Sequence, residues 1–548
     1  MSITTKQKRQ IAGVITGLIL MISLLRFINL GTKPYWSDEV YTSLRLSGYT
    51  KQEVFERSQG EPKPLATVAQ FQCVGSDRNF NDTLTGLITD DVHPPLYFFL
   101  SYYWAKLTGC SVANLRFVAA AISLLVLPLA YGLAYELFRC VPTARLATLF
   151  MAASPILLAY AQEARPYSLL VVLSLLSSLL LLRLRPDRSP RPTLCSPLYI
   201  AYGAATVAGL FCHTLYYLTL VGQGGYCVWG IPAVTSEPRA LWRQWQRRIA
   251  ITLAGSWGLF ALWLVRVVQI QGRTITIGAD YTWDGFSMQR WWQRIGLNFA
   301  NLIYDFYHPL KSSLLASHAV PPIGLGGLGW LRLLVGGGVG VLLLCSLIYT
   351  CWRSDYRRTA LLGWLAAPSL LFLVKDWVLG GSAATVVRYQ LLTVCGLYYC
   401  LAFFLVAQYR RVQGWLPKLG LVGLMVGLVQ LQLYSNWVYV QAPTWWNKMN
   451  DYPLYHLVLA QQQPTAMPSE QSSTGRSDID ELLGHLAPQS PNQWVVAVNG
   501  HPKNMINLLK LSHLLSPTTQ FQLLTPEEFA TVSQGEWTVI SQEVQPEF

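Results

Sequence analysis

Eleven apolar blocks confine this chain to one kind of fold; they lie near residues 11–30, 114–138, 146–161, 167–183, 198–213, 215–233, 249–268, 324–350, 360–375, 389–408 and 418–438. Most are close to the ~20 residues a helix needs to cross a bilayer, and short Arg-rich or Gly/Pro-rich stretches separate them. With 52% hydrophobic against 13% charged residues, the expected fold class is an all-α polytopic membrane protein of about eleven spans. A net charge of +13 raises nucleic acid as a partner, but the basic residues sit in small clusters between blocks, where topology signals belong. Nucleic-acid binding is therefore set aside. The start is basic (Lys6, Lys8, Arg9) and runs into an apolar stretch without a small-x-small cleavage site, which reads as an uncleaved first span.

An odd number of spans puts the two ends on opposite sides. On this count Lys6, Lys8 and Arg9, Arg139 and Arg145, Arg183 to Arg191, Arg239 to Arg248, Arg353 to Arg358, and Arg410 to Lys418 all share one side. The positive-inside rule makes that side cytoplasmic, in a plasma (inner) membrane. The count depends on residues 94–108, which as a helix reach about 22 Å, short of the hydrocarbon core. They read as an interfacial or re-entrant helix with its Tyr and Trp at headgroup level.

The expected domains are then a transmembrane unit 1–440 with outer loop 31–93 and interfacial helix 94–108, a linker 441–480, and a small extracytoplasmic α/β domain 481–548. In that last part Trp494–Val498, 520–524 and 537–543 read as strands, 503–515 as a helix, and Thr525-Pro526-Glu527-Glu528 as a helix start. It has no phosphate loop and no metal-ligand cluster, so its expected role is structural or acceptor-handling. Of the ten cysteines, Cys73 and Cys110 both face the oxidising side in this topology, and a disulfide between them is an open alternative to two thiols.

Four segments meet at the outer face: the loop 31–93, the turn Gln162-Glu163-Ala164-Arg165-Pro166-Tyr167, the loop 269–322, and the turn ending in Arg388-Tyr389. Apart from His213, which reads as a satisfied interfacial histidine, the conspicuous polar groups lie there. A single outward-facing cavity follows. The most informative pair is Asp38-Glu39, because adjacent acids at the mouth of a membrane helix are costly unless they do chemistry, hold a cation or pair with a base.

Trp36-Ser37-Asp38-Glu39, Asp91-Val92-His93-Pro94-Pro95-Leu96-Tyr97 and Gln162-Glu163-Ala164-Arg165-Pro166-Tyr167, in this order and on one side, resemble the GT-C membrane glycosyltransferases. The resemblance is to the branch that holds protein O-mannosyltransferases and lipid A aminoarabinose transferases, and it covers roughly residues 10–220. It implies a glycosyltransferase moving a hexosyl or pentosyl group from a polyprenyl-phosphate sugar to a lipid, glycan or protein acceptor. The first acid of the pair, Asp38, is then the catalytic base of a metal-independent, inverting transfer, with Glu39 beside it.

Arg165 and Arg388 are the cations suited to the phosphate, and His93, Glu163, Tyr167 and Tyr389 complete the expected substrate-binding set. Each has a plainer reading: Glu39 as a loop anchor, His93 as a helix-start residue, Arg165 as the ion-pair partner of Glu163, Arg388 as a snorkelling side chain. No cofactor is expected, although Asp280 and Asp284 in the loop 269–322 are placed to hold a divalent cation. A transporter or flippase of lipid-linked sugars, or a catalytically silent scaffold, are the other classes. The lack of internal repeats and the one-sided charge favour an enzyme, and the intact Asp-Glu pair argues against a silent scaffold.

Overall fold

The computed structural model describes residues 5–90, 93–187, 193–229, 238–271, 288–304, 329–353, 356–379, 381, 383–442, 494–499, 505–514, 517–518, 520–524 and 537–541. The expected linker from residue 443 on, the acids Asp280 and Asp284, Asp91, and the run from Thr525 to Glu528 lie outside the described residues. Helix α1 (Thr5–Ser23) ends in a 3-10 turn, and an outer lobe follows with α2 (Ser37–Ser47), α3 (Lys51–Ser58), strand β1 (Lys63–Pro64), α4 (Phe80–Asp90) and α5 (Leu96–Thr108). The bundle continues with α6 (Val112–Ser123), α7 (Val126–Phe138), α8 (Val141–Ala153), α9 (Pro155–Ala161), α10 (Tyr167–Arg183), α11 (Pro197–Cys212) and α12 (Tyr216–Trp229). It is completed by α13 (Arg239–Gln271), α14 (Met288–Ala300), α15 (Gly329–Arg353), α16 (Tyr356–Leu379), α17 (Leu391–Arg411) and α18 (Trp415–Gln441).

Where they are described, the eleven apolar blocks are helical apart from short breaks, but among the described residues only six helices are long and apolar enough to cross a membrane, or seven if α8 and α9 count as one bent span. The stretches Ala12–Phe27, Tyr167–Arg183 and Pro197–Cys212 are apolar but shorter. Close packing has local causes. A Cβ on Gly363 of α16 would sit 2.7 Å from the carbonyl oxygen of Gly222 in α12, so a bare glycine is what lets these two helices meet.

Between α8 and α9 the helix bends by 55° at Ser154-Pro155, where proline removes a donor and clashes with the preceding turn. The carbonyls freed by the break need partners, since nothing in hydrocarbon would replace them. Arg26 donates to Ala152 O (3.1 Å) and Met151 O (3.3 Å), Asn436 donates to Ala153 O (2.7 Å), and Ser154 Oγ caps Leu157 N (3.2 Å). The bend aims α9 at the turn 162–166, and the Gln162 amide donates to Leu25 O (3.2 Å) and Ile28 O (2.9 Å). The end of the first helix and this turn are thereby fixed to one another.

The two ends of the bundle differ in charge. Glu136 near the end of α7 pairs with Arg139 and, at 3.6 Å, with Arg183 at the end of α10. Arg185 lies 5.2 Å over the ring of Trp242 near the start of α13. The seventeen residues of α10 span about 25 Å, so this basic end is a full helix length from Arg165, and the acidic pair lies at the opposite end.

At that opposite end the outer lobe has its own core. Thr50 and Glu53 form a reciprocal capping box that starts α3, with Thr50 N to Glu53 Oε2 at 2.8 Å and Glu53 N to Thr50 Oγ1 at 3.1 Å. Helix α5 is thirteen residues long, with Phe98 and Tyr102 buried and Phe99, Tyr103 and Leu107 exposed. A Cys73–Cys110 disulfide ties the loop to the start of α6, which decides the alternative left open by the sequence.

The C-terminal segment joins this lobe. Strands β2 (Trp494–Asn499), β3 (Gln520–Leu524) and β4 (Trp537–Ser541) form a sheet in the order β1-β3-β2-β4. Its edge strand β1 comes from the outer loop and runs antiparallel to β3. The β2 and β3 strands are parallel, which requires a crossover, and α19 (Met505–Leu514) supplies it. That helix buries Met505, Leu508, Leu509 and Leu511 in one cluster with Tyr35, Leu44, Tyr49, Leu65 and Phe71 of the outer loop.

Candidate active site

The site is built on the first turn of α2. The helix ends at Gly48, whose φ of +80° and close approach to Asp82 (2.9 Å from an added Cβ) leave room for glycine alone. Its first turn carries Asp38 and Glu39, and the two neighbouring carboxylates meet different surroundings. Glu39 is fully buried: Arg116 of α6 grips it from Nε (2.8 Å) and Nη2 (2.7 Å), and Ala164 N donates to Oε1 at 2.8 Å. The same guanidinium donates to the carbonyls of Leu30 (2.7 Å), Lys33 (2.9 Å) and Pro34 (3.0 Å). One buried ion pair thus joins the loop after the first helix, α2, α6 and the turn 162–166.

Asp38 keeps 23% of its side chain exposed, and its Oδ2 accepts from Arg388 Nη1 at 3.0 Å. Its backbone carbonyl accepts from Arg165 Nη1 at 3.1 Å. Arg165, itself buried, also reaches Thr42 Oγ1 (3.3 Å) and His93 Nε2 (2.8 Å). A guanidinium can only donate, so His93 Nε2 must be the accepting nitrogen, which assigns the neutral imidazole with its proton on Nδ1. The His93 ring is 5.7 Å from that of His213, and His213 is 5.5 Å from Tyr167. Leu215 N donates to His213 Nδ1 at 3.0 Å. Arg388 lies 5.6 Å over Tyr389, and Tyr389 stacks on Phe372 at 4.9 Å.

Of the residues expected from the sequence, Asp38, His93, Arg165, Tyr167, Arg388 and Tyr389 come together in one connected cluster. His213, read from the sequence as a bystander, lies in the same row of rings. Glu39 and Glu163 are buried behind them, and the Glu163 carbonyl accepts from Arg165 N at 2.7 Å. Lys33, under the loop, sits 4.4 Å over the Tyr439 ring. Burial, helped by nearby Arg116 and opposed by Glu39, pulls its ammonium down to about 7. Among the described residues no three His, Cys, Asp or Glu side chains gather as metal ligands do.

Three residues that hold the site were not singled out by the sequence reading. Arg116 is a lone charge in an apolar helix, and that rarity was the available signal. Asp376 is a third buried carboxylate, near the end of α16. It accepts from Trp291 Nε1 (3.1 Å), Ala383 N (2.8 Å) and Ala384 N (2.8 Å), so it ties α14 to the turn that delivers Arg388. Lys510 of α19 reaches Ser37 Oγ at 3.4 Å.

Neither a family model nor a curated protein matches the sequence. Among solved structures, the archaeal oligosaccharyltransferase AglB from Archaeoglobus fulgidus, in complex with an inhibitory peptide and a dolichol-phosphate, is similar with a TM-score of 0.47 at 10% identity. The match covers 92% of this chain and 64% of that one, so this chain spans just under two thirds of its length. ArnT from Cupriavidus metallidurans bound to undecaprenyl phosphate is similar with a TM-score of 0.43 at 12% identity, covering 98% of each chain. Neither of these two reaches a TM-score of 0.5, so function has to be argued from the site's own residues.

Proposed function

We propose that this chain is a membrane glycosyltransferase of the GT-C kind, transferring a sugar from a polyprenyl-phosphate donor to an acceptor hydroxyl at the outer face, with Asp38 as general base. The observation that carries the reading is the division of labour between adjacent acids. Glu39 is locked in a fully buried ion pair, whereas Asp38 keeps 23% of its side chain exposed beside an arginine. Two like groups in contrasting environments are what separates an anchoring carboxylate from a reacting one. In transfer, Asp38 takes the acceptor proton as the acceptor oxygen bonds to the anomeric carbon, and the bond from that carbon to the phosphate oxygen breaks on the opposite face.

Charge collects on the leaving lipid phosphate, and Arg388 and Arg165 are the groups to meet it. A phosphate that draws Arg388 toward itself also releases the Asp38 carboxylate to accept a proton, so donor binding arms the base. His93, neutral and fixed by Arg165, and Tyr167 line the sugar side. The hydrocarbon tail of such a donor stays in the bilayer and its phosphate at the interface, which is the depth at which α1 hands over to the loop carrying Asp38.

The direct test is turnover: purified protein in detergent, given a panel of polyprenyl-phosphate hexoses and pentoses with envelope acceptors, should release polyprenyl phosphate. No release from any donor would sink the reading. Arg388→Lys keeps the charge and loses the planar fork, so donor binding should weaken by about 1–3 kcal/mol with acceptor preference unchanged. Unaltered donor affinity in that variant would remove Arg388 from the phosphate.

The site face is proposed to be extracytoplasmic, since the arginine clusters mark the other end. In sealed cells a Cys at Ser76 should react with a membrane-impermeant thiol reagent, and exposed, free Cys195 should react only after permeabilisation. Labelling of Cys195 in intact cells reverses the orientation.

A further inference from the structure

Helix α19, more than 450 residues from α2 in sequence, is docked on it through a specific polar frame. Gln72 Nε2 donates to Leu509 O (3.1 Å) and Ser512 Oγ (2.8 Å), and Gln72 Oε1 lies 2.6 Å from His513 Nε2. The His513 ring is 4.8 Å from Tyr35, and Gln72 is anchored in turn by its neighbour Cys73 in the disulfide. Lys510 projects from this frame with only 5% of its surface exposed. A lysine ordinarily keeps its ammonium in water while burying its stem. Here Nζ is delivered to Ser37 Oγ, the first residue of α2.

Three cations therefore converge on two consecutive residues: Lys510 on the Ser37 side chain, Arg165 on the Asp38 backbone, Arg388 on the Asp38 carboxylate. We propose that Lys510 is part of the active site and contacts the phosphate of the lipid-linked donor as a third cation. This deepens the glycosyl-transfer reading and rests on it. The leaving group departs as a phosphate monoester carrying up to two negative charges, and Arg388 is shared with Asp38, so more than one further cation is called for to balance it. A lysine suits this place as a compact charge that can follow the phosphate as its bond to the sugar breaks. The C-terminal segment then completes the site instead of standing apart from it.

The test uses the full chain in detergent with two probes, polyprenyl phosphate alone and the phosphate-free polyprenol. Lys510→Met should bind polyprenyl phosphate roughly tenfold more weakly than the unmodified chain, the scale of one lost charged contact. Lys510→Arg should stay within about threefold, and polyprenol should bind all three alike. Lys510→Gln takes the place of the Met variant if that one does not fold. Equal weakening in the Arg and Met variants, or none in the Met variant, overturns the proposal while leaving glycosyl transfer standing. An unmodified chain that binds both lipids equally overturns both. Displacement of the lipid by equimolar inorganic phosphate overturns the lipid assignment in favour of a free anion.

Discussion

Replacing Asp38 by Asn is expected to cut sugar transfer roughly 10²–10⁴-fold, the range for loss of a positioned general base. The substitution keeps the shape of the side chain and its backbone carbonyl, so the Arg165 contact survives. Because Asp38 is partly exposed in its pairing with Arg388, little folding energy is at stake. Extracted yield and thermal midpoint should match the unmodified chain, and polyprenyl phosphate should still bind, now with Arg388 no longer shared. Near-normal transfer in a well-folded Asp38→Asn variant would show that the proton goes elsewhere, and the row from His93 to His213 would be the next place to look.

The helices were legible because a continuous apolar run in a chain of this composition has one stable answer. Pro155 marks the bend that the span 146–161 conceals, and Pro128, which cannot bond the carbonyl of Leu124 four residues back, marks the division between α6 and α7 within 114–138. The expectation for 249–268 began too late, since α13 starts at Arg239. Its first turns are polar on one side and bury Trp242 and Trp245 on the other, and a mean over apolar residues does not see that.

The candidate site was legible as a cluster where residue type and chain order coincide, as for Asp38, Arg165 and Arg388, which the fold brings into contact. It was not legible where a contact joins distant segments. Arg116 meets Glu39 across 77 positions and Lys510 meets Ser37 across 473. A single sequence carries no register between elements so far apart. The joining of the C-terminal segment to the outer loop was hidden for the same reason, because β1 is two residues long and reads as a turn.

Removing Arg116 should be the most damaging single change to the fold near the site. Arg116→Met strands a buried Glu39 carboxylate with backbone donors alone and takes the donor from three carbonyls. Breaking a buried pair from one side costs about 3–5 kcal/mol, enough to lower extracted yield sharply in a marginally stable protein. Replacing both partners, Glu39→Met with Arg116→Met, removes both charges and should recover much of that loss, though not all, since the carbonyls of Leu30, Lys33 and Pro34 stay unserved. The double variant also separates the two readings of Glu39. An anchor replaced by apolar packing leaves Asp38 near its place, so transfer per folded molecule should return to within about tenfold of the unmodified chain. A Glu39 that takes part in the chemistry leaves the double variant folded and inactive. Thermal midpoint and polyprenyl-phosphate release, measured on the same preparation, decide between them.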